Sequence, residues 1–367
     1  MLKDTKKDII LSLMALSGGG MRKHIAEETF GKYGRTVLTQ LEKDGLIKTK
    51  KSKPIFIYLT QKGLEYLDKN DIILSNLLIK NTSNTGFTKI NISGPNDGIK
   101  YSSKSDVMIT LKEAGVEILP SKRGIFGEEE TDVAGFSIKE VKHAIDPKYQ
   151  LASGSVCHGV LVCEDSINMM YHFENGQINV NQTVEQNLKE AVEAETDYTK
   201  KINLIALDFG YHGLTTIFRN SVIEEKDRKR AKGMKTKYVS NLIGKDINYE
   251  EKYYVPSGKE GAPYIDAITN IDLAKRLVEF AAASKKVEEG GIAGLGFAEG
   301  EREIISLFPM TFSAIYRLMS KRNKSKPFLV IALKSAVNEL DKLLEDNDIE
   351  WLLLEDKVVR KNLQSKN

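Results

Sequence analysis

Apolar side chains at Ile9, Ile10, Leu13, Met14 and Leu16 recur at the spacing that places them on one face of an α-helix. Asp4 stands where a carboxylate can accept the first free backbone N–H groups of that helix, and Ser17-Gly18-Gly19-Gly20 stops it. The pattern then predicts a second short helix over 21–30, a turn over 31–34 and a third helix over 35–44. Val37, Leu38 and Leu41 would anchor the third helix inward. Arg35, Thr36, Thr39, Gln40 and Lys43 would then face out, and Gly45 suits the left-handed position that ends a helix. Two alternating stretches, 46–50 and 55–60, pair as a hairpin whose tip is Lys51-Ser52-Lys53-Pro54, and a helix over 60–67 closes the block.

Helix, turn, helix, then two strands around a Lys/Pro tip is the order of a winged helix-turn-helix, a fold used mostly to grip duplex DNA. The outward residue types on the third helix donate to phosphates and to base edges in a major groove. Candidate DNA contacts are therefore Lys32, Tyr33, Arg35, Thr36, Thr39, Gln40 and Lys43 on and before that helix, with Lys48, Lys50, Lys51 and Lys53 on the wing. Charge agrees with this placement. Residues 1–70 hold 14 Lys/Arg against 8 Asp/Glu, a net of +6, whereas the whole chain is +3, so 71–367 sum to −3. The basic excess is local to one module, and the remainder would not bind phosphate by bulk charge. The competing reading is a solvated lysine face on a protein–protein or dimerisation module.

Downstream, 71–104 is poor in apolar periodicity and rich in Asn, Ser, Thr and Gly, which reads as a linker or arm. A second, mixed α/β domain is expected over 105–358, with a disordered tail over 359–367, so the chain as a whole is α/β (α+β overall). Its predicted elements include a helix over 105–114, a short strand over 116–119, strands over 155–163 and 167–173, a turn at Glu174-Asn175-Gly176 and a helix over 183–195. The apolar run 201–208 suits a central strand followed by glycines, the grammar of an α/β sheet. A strand over 326–332, a helix over 335–344 and a strand over 350–354 finish as a β-α-β unit. The mixed-sign run over 224–237 reads as a solvated helix face, and the glycine-rich run over 290–300 as a loop rather than a phosphate cradle.

One constellation bears on catalysis. Asp132 with Glu140-x-Lys142 is similar to the acidic pair plus lysine of restriction-endonuclease-like nucleases, in which two carboxylates hold Mg²⁺ and the lysine positions water. Against it, Ser137-x-x-Glu140 is a capping box, which makes Glu140 the closing residue of a helix start. No cofactor is expected unless the nuclease alternative holds, in which case Mg²⁺ is.

Composition narrows the classes. Hydrophobic residues make up 41 % and charged residues 29 %, as in ordinary globular chains, and no apolar run approaches the roughly 20 residues of a membrane span. The charged N-terminus carries no apolar h-region, so a cytoplasmic protein without membrane partners is expected. Cys157 and Cys163 form no metal-ligand grouping and read as two reduced, partly buried thiols.

Residues 33–67, the helix ending in KEAGVEI, the FSIKEVK segment, GSVCHGVLVCEDSINMMYHFENG and YYVPSGKEG together resemble winged-helix proteins encoded on conjugative and other mobile elements of low-GC Gram-positive bacteria, related in layout to the plasmid replication-relaxation family. The resemblance implies sequence-directed binding of double-stranded DNA, and a role in replication, transfer or transcriptional control of a plasmid or mobile element. It assigns no active site. A homodimer, with two recognition helices on a palindromic site, is the expected assembly.

Overall fold

The computed structural model describes residues 5–51, 54–81, 84–87, 90, 95–127, 132–145, 154–176, 178, 180–196, 199–221, 243, 247–288, 303–320, 328–344 and 349–364. The runs over 224–237 and 290–300, together with Asp4 and Lys53, lie outside those residues. The architecture is mixed α/β, and it divides into two compact units. The first comprises Met1–His172, Asn181–Ile202 and Ser257–Lys259; the second comprises Phe173–Val180, Asn203–Pro256 and Glu260–Asn367.

The first unit begins with α1 (Lys6–Leu16), β1 (Gly20–Arg22), α2 (Lys23–Thr29), α3 (Gly34–Lys43), β2 (Ile47–Lys50), β3 (Phe56–Leu59) and α4 (Gln61–Asn70). Strands β1, β3 and β2 lie in that order in one antiparallel sheet. Helix α1 is capped by Thr5, whose hydroxyl accepts the Asp8 N–H. It is buried on nearly all sides from Ile10 to Leu16, as a helix apolar all round must be. Its one buried charge, Asp8, accepts hydrogen bonds from Thr5 at 2.6 Å and from the Tyr66 hydroxyl of α4 at 3.1 Å. The expected helix over 21–30 is shortened at its start, because Gly20–Arg22 pairs with β3 instead, Gly20 opposite Tyr58 and Arg22 opposite Phe56. Gly45 has φ +71, the left-handed conformation that a side chain rarely adopts.

The segment expected to be an arm is built differently. It carries α5 (Ile72–Asn76), a hairpin of β4 (Ile79–Asn81) and β5 (Asn84–Phe87), and the start of the long helix α6 (Pro95–Glu113). Helix α6 thus begins ten residues before the expected position and lies against the N-terminal block. A Cβ on Gly98 would run into the Phe56 ring, Tyr101 packs beside Gly18 and Gly20, and Arg22 Nε donates to Ser102 Oγ at 3.2 Å. The reason is that α6 turns Ser102, Ser103, Ser105, Asp106 and Thr110 inward. Hydroxyls bonded back to their own helix, such as Ser105 to Ser102 O at 2.8 Å and Thr110 to Asp106 O at 2.6 Å, satisfy their polarity without an apolar stripe.

After α7 (Pro120–Arg123), the unit forms an antiparallel meander of β6 (Ala134–Ser137), β7 (Gly159–Val162) and β8 (Ser166–His172). Helix α8 (Ile138–Ala144) leaves β6 through a complete capping box: Ser137 Oγ accepts the Glu140 N–H, and Glu140 accepts the Ser137 N–H. The expected strand over 116–119 is reduced to a single bridge between Glu117 and Ala134. Helix α9 (Gln182–Glu195) buries Glu185 along with Leu188, Ala191 and Val192.

In the second unit, β9 (Lys201–Asp208) and β10 (Lys252–Pro256) pair in parallel. Helix α10 (His212–Ser221) follows the first of them, and α11 (Ala262–Thr269) and α12 (Ile271–Glu288) follow the second. Strands β11 (Glu303–Ser306), β12 (Phe328–Leu333) and β13 (Ile349–Leu354) form a parallel sheet, with α13 (Phe312–Ser320) joining β11 to β12 and α14 (Val337–Leu343) joining β12 to β13. The tail read as disordered from 359 is helical to Gln364 in α15 (Asp356–Gln364), because Val359 and Leu363, four apart, bury on one face. Arg360 Nε and Gln364 Nε2 both donate to Asp266 Oδ2 of α11 at 3.2 Å. Among the described residues no helix is long and apolar enough to cross a membrane.

Candidate nucleic-acid interface

Helix α3 is set on the protein by three positions on one face. Leu38 and Leu41 are buried, and Gly34 approaches the Glu27 carbonyl so closely that a Cβ there would lie 2.8 Å from it. Val37, expected inward, is half-buried. The opposite face presents Arg35, Thr36, Thr39, Gln40 and Lys43, all exposed. Arg35 is 81 % exposed and, among the described residues, reaches back to Glu27 at 3.4 Å. Thr39 Oγ1 donates to the Arg35 carbonyl at 2.9 Å, which leaves its methyl outward. Gln40 donates to Asp44 Oδ1 at 2.8 Å, and Lys7 to Asp44 Oδ2 at 3.2 Å. These two bonds hold the Asp44 carboxyl below its usual range, Gln40 contributing most.

A hydrogen bond from the Thr49 N–H to Glu42 Oε1 at 3.3 Å fixes the hairpin to α3. Its register places Lys48 opposite Tyr58 and Lys50 opposite Phe56, so the two lysines share one side of β2, with Lys51 next along the chain. All three are exposed. Tyr33, before α3, is 61 % exposed and has the Lys6 ammonium 5.1 Å from its ring centre. Lys53 and the side chain of Lys32 lie outside the described residues. The fold therefore brings Tyr33, Arg35, Thr36, Thr39, Gln40, Lys43, Lys48, Lys50 and Lys51 to exposed positions on one helix and its adjoining hairpin.

The other candidate set is arranged for structure. Asp132 is exposed in the loop before β6. Glu140 has both oxygens engaged: Oε1 accepts from Arg123 Nη2 at 2.5 Å and Oε2 from the Ser137 N–H at 2.8 Å. Lys142 Nζ donates to the Ser155 carbonyl at 3.5 Å. No group of three or more His, Cys, Asp or Glu among the described residues is placed to hold a metal ion.

Two polar clusters in the first unit were not visible in the sequence. In one, His172 Nε2 lies 3.4 Å from Asp106 Oδ2, both buried, and the His172 N–H donates to His158 Nδ1 at 3.0 Å. Burial pulls the His172 imidazole down to about 3, with the Arg22 charge adding to the effect, and holds His158 well below its ordinary value. Close by, buried Glu185 accepts from Ser155 Oγ and the Val156 N–H at 2.7 Å and from the Tyr171 hydroxyl at 2.9 Å. In the other, burial brings the Lys104 ammonium on α6 down to about 8, and the charges of Lys139 and Lys142 on α8 and of Lys100 on α6 add to the effect. The only sequence signal for the latter is spacing, four residues in one helix and three in the other, and it is read only once α6 is known to start at Pro95.

Compared with protein-family models, with curated proteins and with solved structures, the chain finds no match.

Proposed function

We propose that residues 1–70 are a winged helix-turn-helix and that the protein is a sequence-directed double-stranded DNA-binding factor, acting as a homodimer in replication, transfer or transcriptional control of a plasmid or mobile element. The observation that carries this reading is the outward row on α3, Arg35, Thr36, Thr39, Gln40 and Lys43, held by Glu42 against a hairpin that exposes Lys48, Lys50 and Lys51. A helix with that row fits a major groove, where glutamine and arginine read base edges, while the hairpin lysines meet backbone phosphates. The local net charge of +6 in an otherwise slightly acidic chain supplies the electrostatic footprint. Both oxygens of Glu140 are engaged by Ser137 and Arg123, so the proposal does not extend to a Mg²⁺-dependent nuclease.

The test is a footprint of the full-length protein on DNA from its own locus, at two salt concentrations with Mg²⁺ present. A protected, symmetric site that weakens with salt is the expected result. Absence of protection at the lower salt would overturn the reading and leave the N-terminal block as a protein-interaction module. New strand breaks inside the site would return Asp132, Glu140 and Lys142 to consideration.

A further inference from the structure

Strand β13 carries the sequence of an interior strand at the edge of its sheet. Its neighbour β12 is Phe-Leu-Val-Ile-Ala-Leu, and all six residues are buried. Strand β13 is Ile-Glu-Trp-Leu-Leu-Leu, almost as apolar, yet none of its six residues is buried and Leu353 stands exposed. It pairs with β12 along one side, and among the described residues no strand lies along the other. Soluble proteins ordinarily blunt such an edge with lysine, proline or a bulge. Strand β13 has none of these: its register on β12 is unbroken from Ile349 to Leu354, and Glu350 is its one charge.

The apolar surface continues onto two helices. Helix α12 packs against both β13 and α15. Among the described residues of the second unit, the large apolar side chains left exposed are Phe280 on α12, Leu353 on β13 and Val358 on α15, so all three lie on these touching elements. Ala274 is the buried position among the described side chains of α12. Phe280, six residues on, is turned about 120° around the helix from it, 75 % exposed, with half-buried Leu273 and Leu277 on its own side.

We propose that β13, α12 and α15 form a homodimer interface in which β13 pairs with β13 of a second copy about a two-fold axis. The two-fold turns the strand end for end, so the pairing is antiparallel and joins two three-stranded sheets into one of six. Each bare edge supplies the N–H and C=O partners that the other lacks. A register centred between Trp351 and Leu352 sets Glu350 opposite Leu353 and keeps the two glutamates apart.

Size and charge select a second copy as the occupant. Helix α12, with 18 residues, is about 27 Å long, and β13, with six, about 20 Å. A face of those dimensions covers about 500 Å² on each copy and about 1,000 Å² on the pair, the least that a specific interface needs. Asp272, Lys275, Arg276 and Glu279 on α12 and Lys357 on α15 are exposed and of both signs. A nucleic acid or an anionic membrane calls for one sign, whereas an apolar centre with a mixed rim fits a protein. The copy itself offers an edge of the same length and an equal apolar area. The proposal takes the homodimer from the function proposed above and gives it a surface, and it does not require DNA.

Sedimentation equilibrium of the full-length protein without DNA, from about 1 to about 100 µM, tests the interface. A dimer is expected, weakened about tenfold or more by Leu353→Lys and by Phe280→Glu, each of which sets an unpaired charge in the contact. Both side chains are exposed in the single chain, so neither change empties the core. Ile125→Glu, at an exposed apolar position of the first unit, should leave the dimer unchanged. A monomer at every concentration would overturn the proposal, as would a dimer that both variants leave intact. Hydrogen exchange adds a second reading: amides of 349–354 that exchange as fast in the wild-type dimer as in the monomeric variants would overturn the strand pairing. A dimer that both variants break but that protects no DNA supports the interface and removes only the DNA reading, whereas a symmetric footprint by a protein that both variants leave dimeric does the reverse.

Discussion

Arg123 and Glu140 form an ion pair 2.5 Å long, with side chains only 1 % and 11 % exposed. The guanidinium also lies 4.0 Å from the centre of the Phe136 ring, and the other Glu140 oxygen closes the capping box on Ser137. Burial draws the Arg123 guanidinium below its ordinary value, and Glu140 offsets part of that cost.

Removing Glu140 while Arg123 stays leaves an uncompensated buried cation. Glu140→Ala is expected to lower the unfolding free energy by about 3–5 kcal/mol. In urea titrations the Arg123→Met, Glu140→Ala double variant should lose less than the two single variants combined, because the second change removes the stranded charge. A loss under about 1 kcal/mol for Glu140→Ala would show that the pair contributes no more than an exposed salt bridge.

Asp208 ends β9 with Oδ1 accepting the Phe209 N–H at 2.7 Å and Oδ2 accepting the Gly176 N–H. Burial nevertheless raises its carboxyl from 3.8 to about 6, against the pull of those bonds. Between those values the folded protein keeps a proton that the unfolded chain releases. This group's stabilising effect is therefore complete below about pH 4, falls as the pH rises to about 6, and is constant above it, with a span of at most about 3 kcal/mol. Unfolding of wild type and Asp208→Asn across that window should show wild type losing ground to the variant as pH rises. A difference between the two that is flat with pH would refute the assignment.

Both cysteines are free and buried, and burial pushes each thiol up to about 12, with the Glu185 carboxylate adding to the effect at Cys157. The thiolate is the reactive form, so neither should be alkylated in the folded protein at neutral pH, and both should be on unfolding. Mass spectrometry after iodoacetamide treatment with and without urea checks this. Modification of Cys157 in the native protein would mean that the region around β7 opens readily.

Elements whose burial is written in apolar side chains were legible in the sequence. Strand β9 matches the expected 201–208 because its buried positions are apolar apart from Asn203 and Asp208, and the outward row of α3 follows from Leu38 and Leu41 facing in. Helix α6 was not legible over its first ten residues, because it packs through glycine and serine against Phe56 and Arg22. The three-residue strand β1 is too short to carry a period, and α15 shows only Val359 and Leu363 in a charged stretch. Lys104 feels the charges of Lys139 and Lys142 only once α6 and α8 share a folded unit, so spacing within either helix alone does not reveal the effect.

If α3 reads bases and the hairpin holds phosphates, substitutions on the two elements should fail in different ways. Gln40→Ala removes a side chain able to bond a base edge in two places, once released from Asp44. It should relax the preference at one base pair, worth about 1–3 kcal/mol between the best and next-best base, while non-specific affinity stays close to wild type. Lys50→Ala removes one exposed cation from β2. It should weaken all sequences alike and reduce the slope of log affinity against log salt by about 1. Titrations of both variants against the protected site and a scrambled duplex, each at several salt concentrations, separate the two effects. Identical losses on both duplexes for Gln40→Ala would place α3 outside the groove, and an unchanged salt slope for Lys50→Ala would remove the hairpin from the interface.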